Sequence, residues 1–201
     1  MDIEALGVPA YRQRIEYILS ELPNQATRPG PKFVFVHLTV PHPPFVFGPS
    51  GESRPQTHHY SFRDGDAYFG TQADYIQGYR EQIAFVDTAI QGAIAQLLAR
   101  SETRPVIILQ GDHGPGSNLH WDSFEATDLR ERFGILNAYL LPEMGAAGLY
   151  PSITPVNSFR VVFHALFGAP LELEPDTSFF SNWDRAYDMV PVPAEATTRI
   201  D

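Results

Sequence analysis

Cysteine is absent from the 201-residue chain, which excludes disulfides, thiolate metal sites and a cysteine nucleophile within it. Positive charge is scarce, because 14 Lys and Arg residues face 24 Asp and Glu residues for a formal net charge of -10. The chain contains no Lys/Arg run and would repel a polyanion, so we expect no nucleic-acid partner. No stretch reaches the roughly 18 apolar residues of a membrane span, and the N-terminus is too polar for a signal peptide, so the polypeptide as given is expected to be soluble.

The composition is that of a globular protein, with 43% hydrophobic and 19% charged residues. This length fits one domain with a sizeable core. We therefore predict a single domain over residues 1–201, in which residues 1–31 form an N-terminal helix and linker and residues 170–201 form a C-terminal tail. Proline is abundant, at 18 residues, which favours long ordered loops over a helical bundle.

Hydrophobic periodicity predicts alternating strands and helices. Residues 32–40 and 106–110 are apolar runs typical of strands buried on both faces, and residues 134–141 form a third candidate strand. Apolar residues recur at steps of three and four over residues 73–100, which predicts a long amphipathic helix. Shorter helices are expected over residues 11–22 and 156–166. A strand, a helix and a second strand in this order predict an α/β fold with a mostly parallel sheet and flanking helices.

The strand at residues 106–110 breaks into a glycine-flanked turn that carries Asp112 and His113. Ligand sites lie at the carboxyl ends of strands in open α/β sheets, and a carboxylate beside an imidazole can bind one metal ion. The alternative is that Asp112 caps a turn and His113 is simply exposed, since Asp and Gly are ordinary turn residues. The convergence expected from the crossover connection favours the metal site.

His42 lies among Pro41, Pro43 and Pro44 at the end of the first predicted strand. An imidazole held there could bind an oxyanion or protonate a leaving group, although a loop histidine without chemistry fits the sequence equally well. The segment 49–71 is long enough to be a functional lid or a solvated loop. Its pair His58 and His59 is not predicted to bind metal, because nothing in the sequence fixes further ligands.

The remaining histidines are expected to have structural or surface positions. His37 falls within the first predicted strand and is expected in its packing. His120 is expected at the surface, with a supporting role near the site as the alternative, and His164 is expected on the surface or in the core of the last helix.

Several segments together carry a resemblance: HLTVPHPPFVF, YIQGYREQIAFVDTAI, VIILQGDHG, RERFGILNAYLLP and SITPVNSFRVVFHALFG. In order and approximate spacing they are similar to the C-terminal half of sulfatase-like proteins of the alkaline phosphatase superfamily. The nearest group includes membrane-anchored sulfatases, lipoteichoic acid synthases and phosphoethanolamine transferases. The resemblance implies an alkaline phosphatase-like fold, of which this chain is the C-terminal portion.

The resemblance also implies roles for individual residues. Asp112 and His113 would ligate a divalent metal ion, Zn²⁺ or Mn²⁺ more readily than Ca²⁺. His42 would contact the transferred or departing oxyanion of a sulfate- or phosphate-ester substrate. The nucleophile and a further acidic ligand belong to an N-terminal half that should precede Met1, so the isolated chain is expected to be inactive.

The functional expectation is a metal-dependent sulfate- or phosphate-ester hydrolase or transferase. The alternative is a non-catalytic binding or structural domain that retains the scaffold. By family resemblance the chain would be the extracytoplasmic domain of a membrane-anchored protein, associated with the membrane only through the missing N-terminal segment.

Overall fold

The computed structural model describes residues 7–142 and 148–197. The chain divides into two compact units, residues 1–104 and residues 105–201. The predicted boundaries of a single domain, with a helix and linker over residues 1–31 and a tail over residues 170–201, stay a prediction.

The first unit contains two α-helices, α1 (Gly7–Glu21) and α2 (Gln72–Arg100), with 3₁₀ turns at Pro23–Thr27 and Gly65–Ala67. Both predicted helices are confirmed. Thr71 caps the start of α2, and its hydroxyl accepts a hydrogen bond from the Asp74 amide at 3.1 Å, as expected of an N-cap residue. The buried core of this unit comprises Tyr11, Ile15, Leu19, Val40, Val46, Phe47 and Val86.

The segment between the helices is mostly irregular and is tied to α1 by Arg12. The Arg12 guanidinium donates to the backbone oxygens of Val46, Gly51 and Glu52 at 2.7, 2.8 and 3.1 Å. It also lies over the Phe47 ring, 4.2 Å from the centroid. A short bridge between Phe47 and Ser53 is the only β-pairing in the described part of this unit.

The predicted strand over residues 32–40 is wrong. Residues 31–39 have no regular secondary structure, and the side chains of Phe33 and Phe35 are 76% and 78% exposed. An apolar strand buried on both faces needs neighbouring strands and cover on both sides. In the described residues no strand pairs with this segment. His37 is consequently exposed rather than packed in a strand.

The second unit contains an antiparallel pair, β1 (Ile107–Gln110) and β2 (Asn137–Leu140), in which Ile107 faces Leu140. Helix α3 (Leu129–Phe133) precedes β2, and α4 (Pro155–Phe167) follows it. A second antiparallel pair joins β3 (Phe179–Phe180) to β4 (Val190–Pro191), and α5 (Ala194–Thr197) follows. Gly168 ends α4 in the left-handed conformation at φ 63°, which glycine adopts without strain.

The strands at residues 107–110 and 137–140 confirm two of the predicted strands, but the predicted mostly parallel sheet is not confirmed. Both strand pairs in the described residues are antiparallel. The connection from β1 to β2 holds only the five-residue α3, which is shorter than the crossover helix a parallel pair requires.

Helix α2 is long and apolar enough, by length and composition, to cross a membrane, and it is the one such helix in the described residues. Core helices of soluble proteins meet the same criterion. The helix carries Asp74 and Glu81, both ion-paired to Arg54, and it buries Gln82. Length and composition alone therefore do not assign a membrane span.

Candidate functional site

The loop that carries His42 is fastened to α2 by Gln82. The Gln82 side chain is fully buried and accepts hydrogen bonds from the amides of Val46 and Phe47 at 2.8 and 3.3 Å. Its amide group donates to the carbonyl oxygen of His42 at 3.1 Å. One side chain therefore fixes the backbone on both sides of Pro43 and Pro44. The Val40–Pro41 and Pro43–Pro44 peptide bonds in this loop are cis.

Both nitrogens of the His42 ring face groups of the same unit. Nδ1 lies 2.6 Å from the Pro43 carbonyl oxygen. Since a carbonyl only accepts, Nδ1 carries the proton in this contact. Nε2 lies 3.8 Å from Asp64 Oδ2, beyond hydrogen-bond distance. The side chain keeps 25% of its surface exposed, and the ring stacks on Phe62 with 6.2 Å between centroids.

Asp64 is a buried carboxylate behind His42, with only 2% of its side chain exposed. Its Oδ1 accepts a hydrogen bond from the Tyr75 hydroxyl at 2.7 Å. Tyr75 is itself buried on α2. A buried carboxylate that is hydrogen-bonded on one oxygen presents the other oxygen to a protonated imidazole as a counter-ion.

Asp112 and His113 occupy the turn that follows β1. The Gly111 amide donates to the Leu136 carbonyl at 2.9 Å, and the Gly114 amide donates to the Arg132 carbonyl at 2.7 Å. A Cβ added at Gly114 would overlap backbone carbonyl oxygens of residues 131, 132 and 134, so only glycine allows this close approach. The turn is thus held against the segment that leads into β2.

The geometry of the Asp112 and His113 side chains fits two ligands of one metal ion. His113 Nδ1 lies 2.9 Å from the Gly114 carbonyl, which leaves Nε2 unprotonated in the neutral ring and able to ligate, as is usual for metal-bound histidine. Nε2 and Asp112 Oδ2 are 3.8 Å apart. Two ligands at about 2.1 Å from a shared ion can be up to about 4.2 Å apart.

These two ligands do not form a complete site within the described residues, where no group of three or more His, Asp or Glu side chains could hold a metal ion. Asp112 keeps 78% of its side chain exposed and His113 keeps 32%. Zinc sites in proteins generally use three or more protein ligands. The pair could therefore bind a divalent ion only weakly on its own.

A polar network lies behind the β1 end of this turn. Gln110 donates to the hydroxyl of Ser158 and to the side-chain oxygen of Asn137, both at 2.9 Å. Ser158 on α4 is fully buried and also shares a 2.5 Å hydrogen bond with the Tyr139 hydroxyl. The network joins β1, β2 and α4, and so fixes the strand end from which Asp112 and His113 project.

A second charged cluster lies at the start of α2, centred on Asp74. Its Oδ1 accepts from the Arg54 guanidinium at 2.8 Å, and its Oδ2 accepts from the Tyr68 hydroxyl at 2.6 Å. Burial raises the pKa of Asp74, but the hydrogen bonds from Tyr68 and Arg54 outweigh it and hold the pKa below its usual range. His58 Nε2 lies 3.6 Å from the same carboxylate.

The histidines outside the candidate site have surface positions. His120 is exposed, which confirms its predicted surface location. His164 is exposed near the end of α4, where its Nδ1 lies 3.0 Å from the Ala169 carbonyl. His58 and His59 do not belong to any group of three metal-capable side chains in the described residues.

The structure adds supporting residues that the sequence patterns did not single out. Asp64 lies in the segment 49–71, for which the sequence predicts a lid or a solvated loop. Tyr75 and Gln82 lie in the long helix, for which the sequence predicts only a packing role. A buried Gln on an apolar helix face is one usable signal, because a buried amide needs hydrogen-bond partners. The predicted convergence of His42 with Asp112 and His113 concerns both units and stays a prediction.

Comparison with known proteins gave one family. The model of the family described as Sulfatase matches residues 11–138. This match spans more than half of the chain and includes His42, Asp112 and His113. Searches of curated proteins and of solved structures gave no significant match.

Proposed function

Because the chain belongs to the sulfatase family, we propose that it takes part in the hydrolysis or transfer of a sulfate or phosphate ester. The family has an alkaline phosphatase-like α/β fold and generally uses divalent metal ions. The observation that carries the proposal is that one family match covers both the His42 loop and the Asp112-His113 turn.

Asp112 and His113 would hold the divalent ion, Zn²⁺ or Mn²⁺ in preference to Ca²⁺ because one ligand is an imidazole nitrogen. A bound divalent ion would polarise the ester and stabilise the charge of a nearby nucleophile. The hydrogen bond from His113 Nδ1 to Gly114 orients Nε2 for this role.

His42 would face the oxygen that gains negative charge as the ester bond breaks. The Gln82 hydrogen bonds fix the loop backbone, and Asp64 provides the counter-ion for the protonated ring. A protonated imidazole could then donate its Nε2 proton to the departing oxygen. Asp64 and Gln82 act here as positioning residues.

We further propose that the nucleophile and the remaining metal ligands come from polypeptide outside these residues. The chain would then be the C-terminal portion of an extracytoplasmic domain of a membrane-anchored protein. Without a nucleophile, a reaction through a covalent intermediate loses several orders of magnitude in rate. The chain alone should therefore show negligible turnover of 4-nitrophenyl sulfate and 4-nitrophenyl phosphate with added Zn²⁺ or Mn²⁺.

Titration calorimetry with Zn²⁺ and Mn²⁺ tests the metal assignment on the 201-residue chain. We expect weak binding to the wild type and loss of binding in the double variant Asp112→Asn, His113→Ala. The matched control is Asp122→Asn with His120→Ala, which removes the same two kinds of side chain nearby and should leave binding unchanged.

Three outcomes would contradict parts of this proposal. Metal binding that survives the Asp112 and His113 changes would place the ion elsewhere. No metal binding at any practical concentration would contradict the expected weak binding and would make the site wholly dependent on ligands outside these residues. A robust metal-dependent turnover that His42→Ala abolishes would show that the chain carries its own nucleophile.

A further inference from the structure

A shallow open cleft lies beside the His42 loop in the first unit. Its lining residues come from the end of that loop and from the segment before α2, and they are Pro44, Phe45, Gln56, Thr57, His58, His59, Ser61, Arg63, Tyr68 and Phe69. Phe62, which stacks on the His42 ring, lies in sequence between two of them. The cleft therefore adjoins His42 without including it.

The lining of this cleft is basic, although the chain as a whole is acidic, and the nearby Asp74 carboxylate lies behind the cleft's His58 and Tyr68. The protein carries 24 acidic and 14 basic residues, yet the lining contains one arginine, two histidines and no Asp or Glu. Arg63 and His59 are exposed. Within the described residues, no carboxylate lies within 4.0 Å of the Arg63 guanidinium, whereas nearby Arg54 is paired with Asp74 and Glu81. The Arg63 charge is thus available to a ligand.

Aromatic rings form the apolar part of the cleft. Arg63 lies over the Phe69 ring, 5.1 Å from its centroid, and the His58 ring meets Tyr68 edge to face at 6.2 Å. Tyr68 is fixed by its hydrogen bond to Asp74, and Phe45 packs against it at 5.8 Å. Rings held in this way offer flat apolar surface beside a guanidinium that can bind an oxyanion through several N–H groups.

We propose that this cleft binds an organic anion, with its sulfonate, sulfate or phosphate group on Arg63 and the exposed imidazole of His59, and its ring or other apolar part on Tyr68 and Phe69. Because the cleft is shallow, we expect millimolar affinity. In the ester reaction proposed above, the cleft would bind a second charged group of the substrate, away from the ester that reacts. Only this assignment to the substrate rests on the proposed function; binding of an organic anion does not.

The experiment measures binding of benzenesulfonate to the full chain by two-dimensional ¹H–¹⁵N NMR, with EDTA present. Benzenesulfonate has no ester bond, and EDTA removes the metal from Asp112 and His113, so the result does not depend on catalysis. We expect the amides of Thr57, His59 and Tyr68 to shift in a saturable way. Arg63→Gln should weaken binding by about fivefold or more, whereas the matched control Arg28→Gln should bind as the wild type does.

Two further measurements separate the contribution of the anionic group from that of the ring. Benzyl alcohol, which has the ring but no charge, should bind at least about fivefold more weakly than benzenesulfonate. Arg63→Lys, which keeps the charge, should bind more tightly than Arg63→Gln. Equal binding by Arg63→Gln and Arg28→Gln, shifts confined to residues outside the cleft, or no saturable shifts would each overturn the inference, while the metal and turnover tests would stand unaffected.

Discussion

Gln82 is the residue whose contacts most directly connect the core to the candidate site. Three backbone groups, the amides of Val46 and Phe47 and the carbonyl of His42, share its side chain. A buried backbone group without a partner costs roughly 1–3 kcal/mol. The position of His42 therefore depends on a side chain that cannot itself touch a substrate, because it is fully buried.

Gln82→Leu should lower the free energy of unfolding by about 2–3 kcal/mol, since it keeps the side-chain bulk but leaves buried amides unsatisfied. Urea unfolding followed by circular dichroism measures the change. Gln91→Leu is the matched control, because Gln91 is exposed on the same helix and its loss should change stability little. Equal effects of the two substitutions would show that the Gln82 hydrogen bonds contribute nothing net.

Asp176 anchors the start of α4 in the second unit. It accepts from the amide and hydroxyl of Thr154 at 2.8 and 2.6 Å and from the Tyr150 hydroxyl at 2.5 Å. Burial raises the pKa of Asp176, but the hydrogen bonds from Thr154 and Tyr150 outweigh it and hold the pKa below its usual range. A group whose pKa is lowered by folding stabilises the protein above its unfolded pKa, about 3.9 for Asp.

The stabilisation by Asp176 should therefore be complete at pH 7 and should disappear as the pH falls through the lowered folded-state pKa. Asp176→Asn should be less stable than the wild type in urea at pH 7, and the difference should narrow by pH 3. Asp184→Asn, at an exposed position, is the control and should show no such difference. If the difference in unfolding free energy between the wild type and Asp176→Asn stayed constant from pH 7 to pH 3, ionisation of Asp176 would not contribute to stability.

A glycine sets the contact between α2 and the His42 loop. A Cβ at Gly78 would lie no farther than 2.9 Å from three carbon atoms of the Phe45 side chain. Phe45 also packs edge to face on Tyr75 with 5.0 Å between ring centroids. The helix can approach the loop this closely only because residue 78 has no side chain.

Gly78→Ala should destabilise the chain by about 1–3 kcal/mol through this overlap, although alanine is the better helix former. Gly92→Ala is the matched change in the same helix, where nothing lies within 4 Å of the added Cβ, and it should stabilise by about 0.5–1 kcal/mol. Thermal and urea unfolding of both variants measure the change in unfolding free energy, which should be a loss for Gly78→Ala and a gain for Gly92→Ala. A stabilised Gly78→Ala would mean that the loop moves away at little cost.

Helices α1 and α2 could be predicted from sequence because their apolar period and end signals are local. The strand before Asp112 could also be predicted, since its short apolar run ends at a glycine turn. Its antiparallel pairing could not be predicted, because pairing depends on how residues 111–136 fold back. Asp64 could not be recognised either, since only the tertiary fold places its carboxylate beside His42.

Residues 33–36 form an exposed apolar segment that the sequence predicted to be buried. Residues 33–36 are all exposed, with Phe33 at 76%, Val34 at 44%, Phe35 at 78% and Val36 at 37%. A run of β-prone apolar residues without charge is the kind of segment that pairs with a second chain or aggregates. The formal net charge of -10 opposes association, but it is screened by salt.

We therefore expect the isolated chain to self-associate through residues 33–36, and more so as salt is raised. Phe33→Asp with Phe35→Asp should shift the weight-average mass toward the monomer in light scattering at micromolar concentration, because two carboxylates on the segment oppose close pairing of strands. The matched control is Tyr187→Asp with Met189→Asp, which changes two exposed residues at the same spacing, 94% and 54% exposed. If both pairs of substitutions reduce association equally, added negative charge alone explains the effect and the segment has no special part in it.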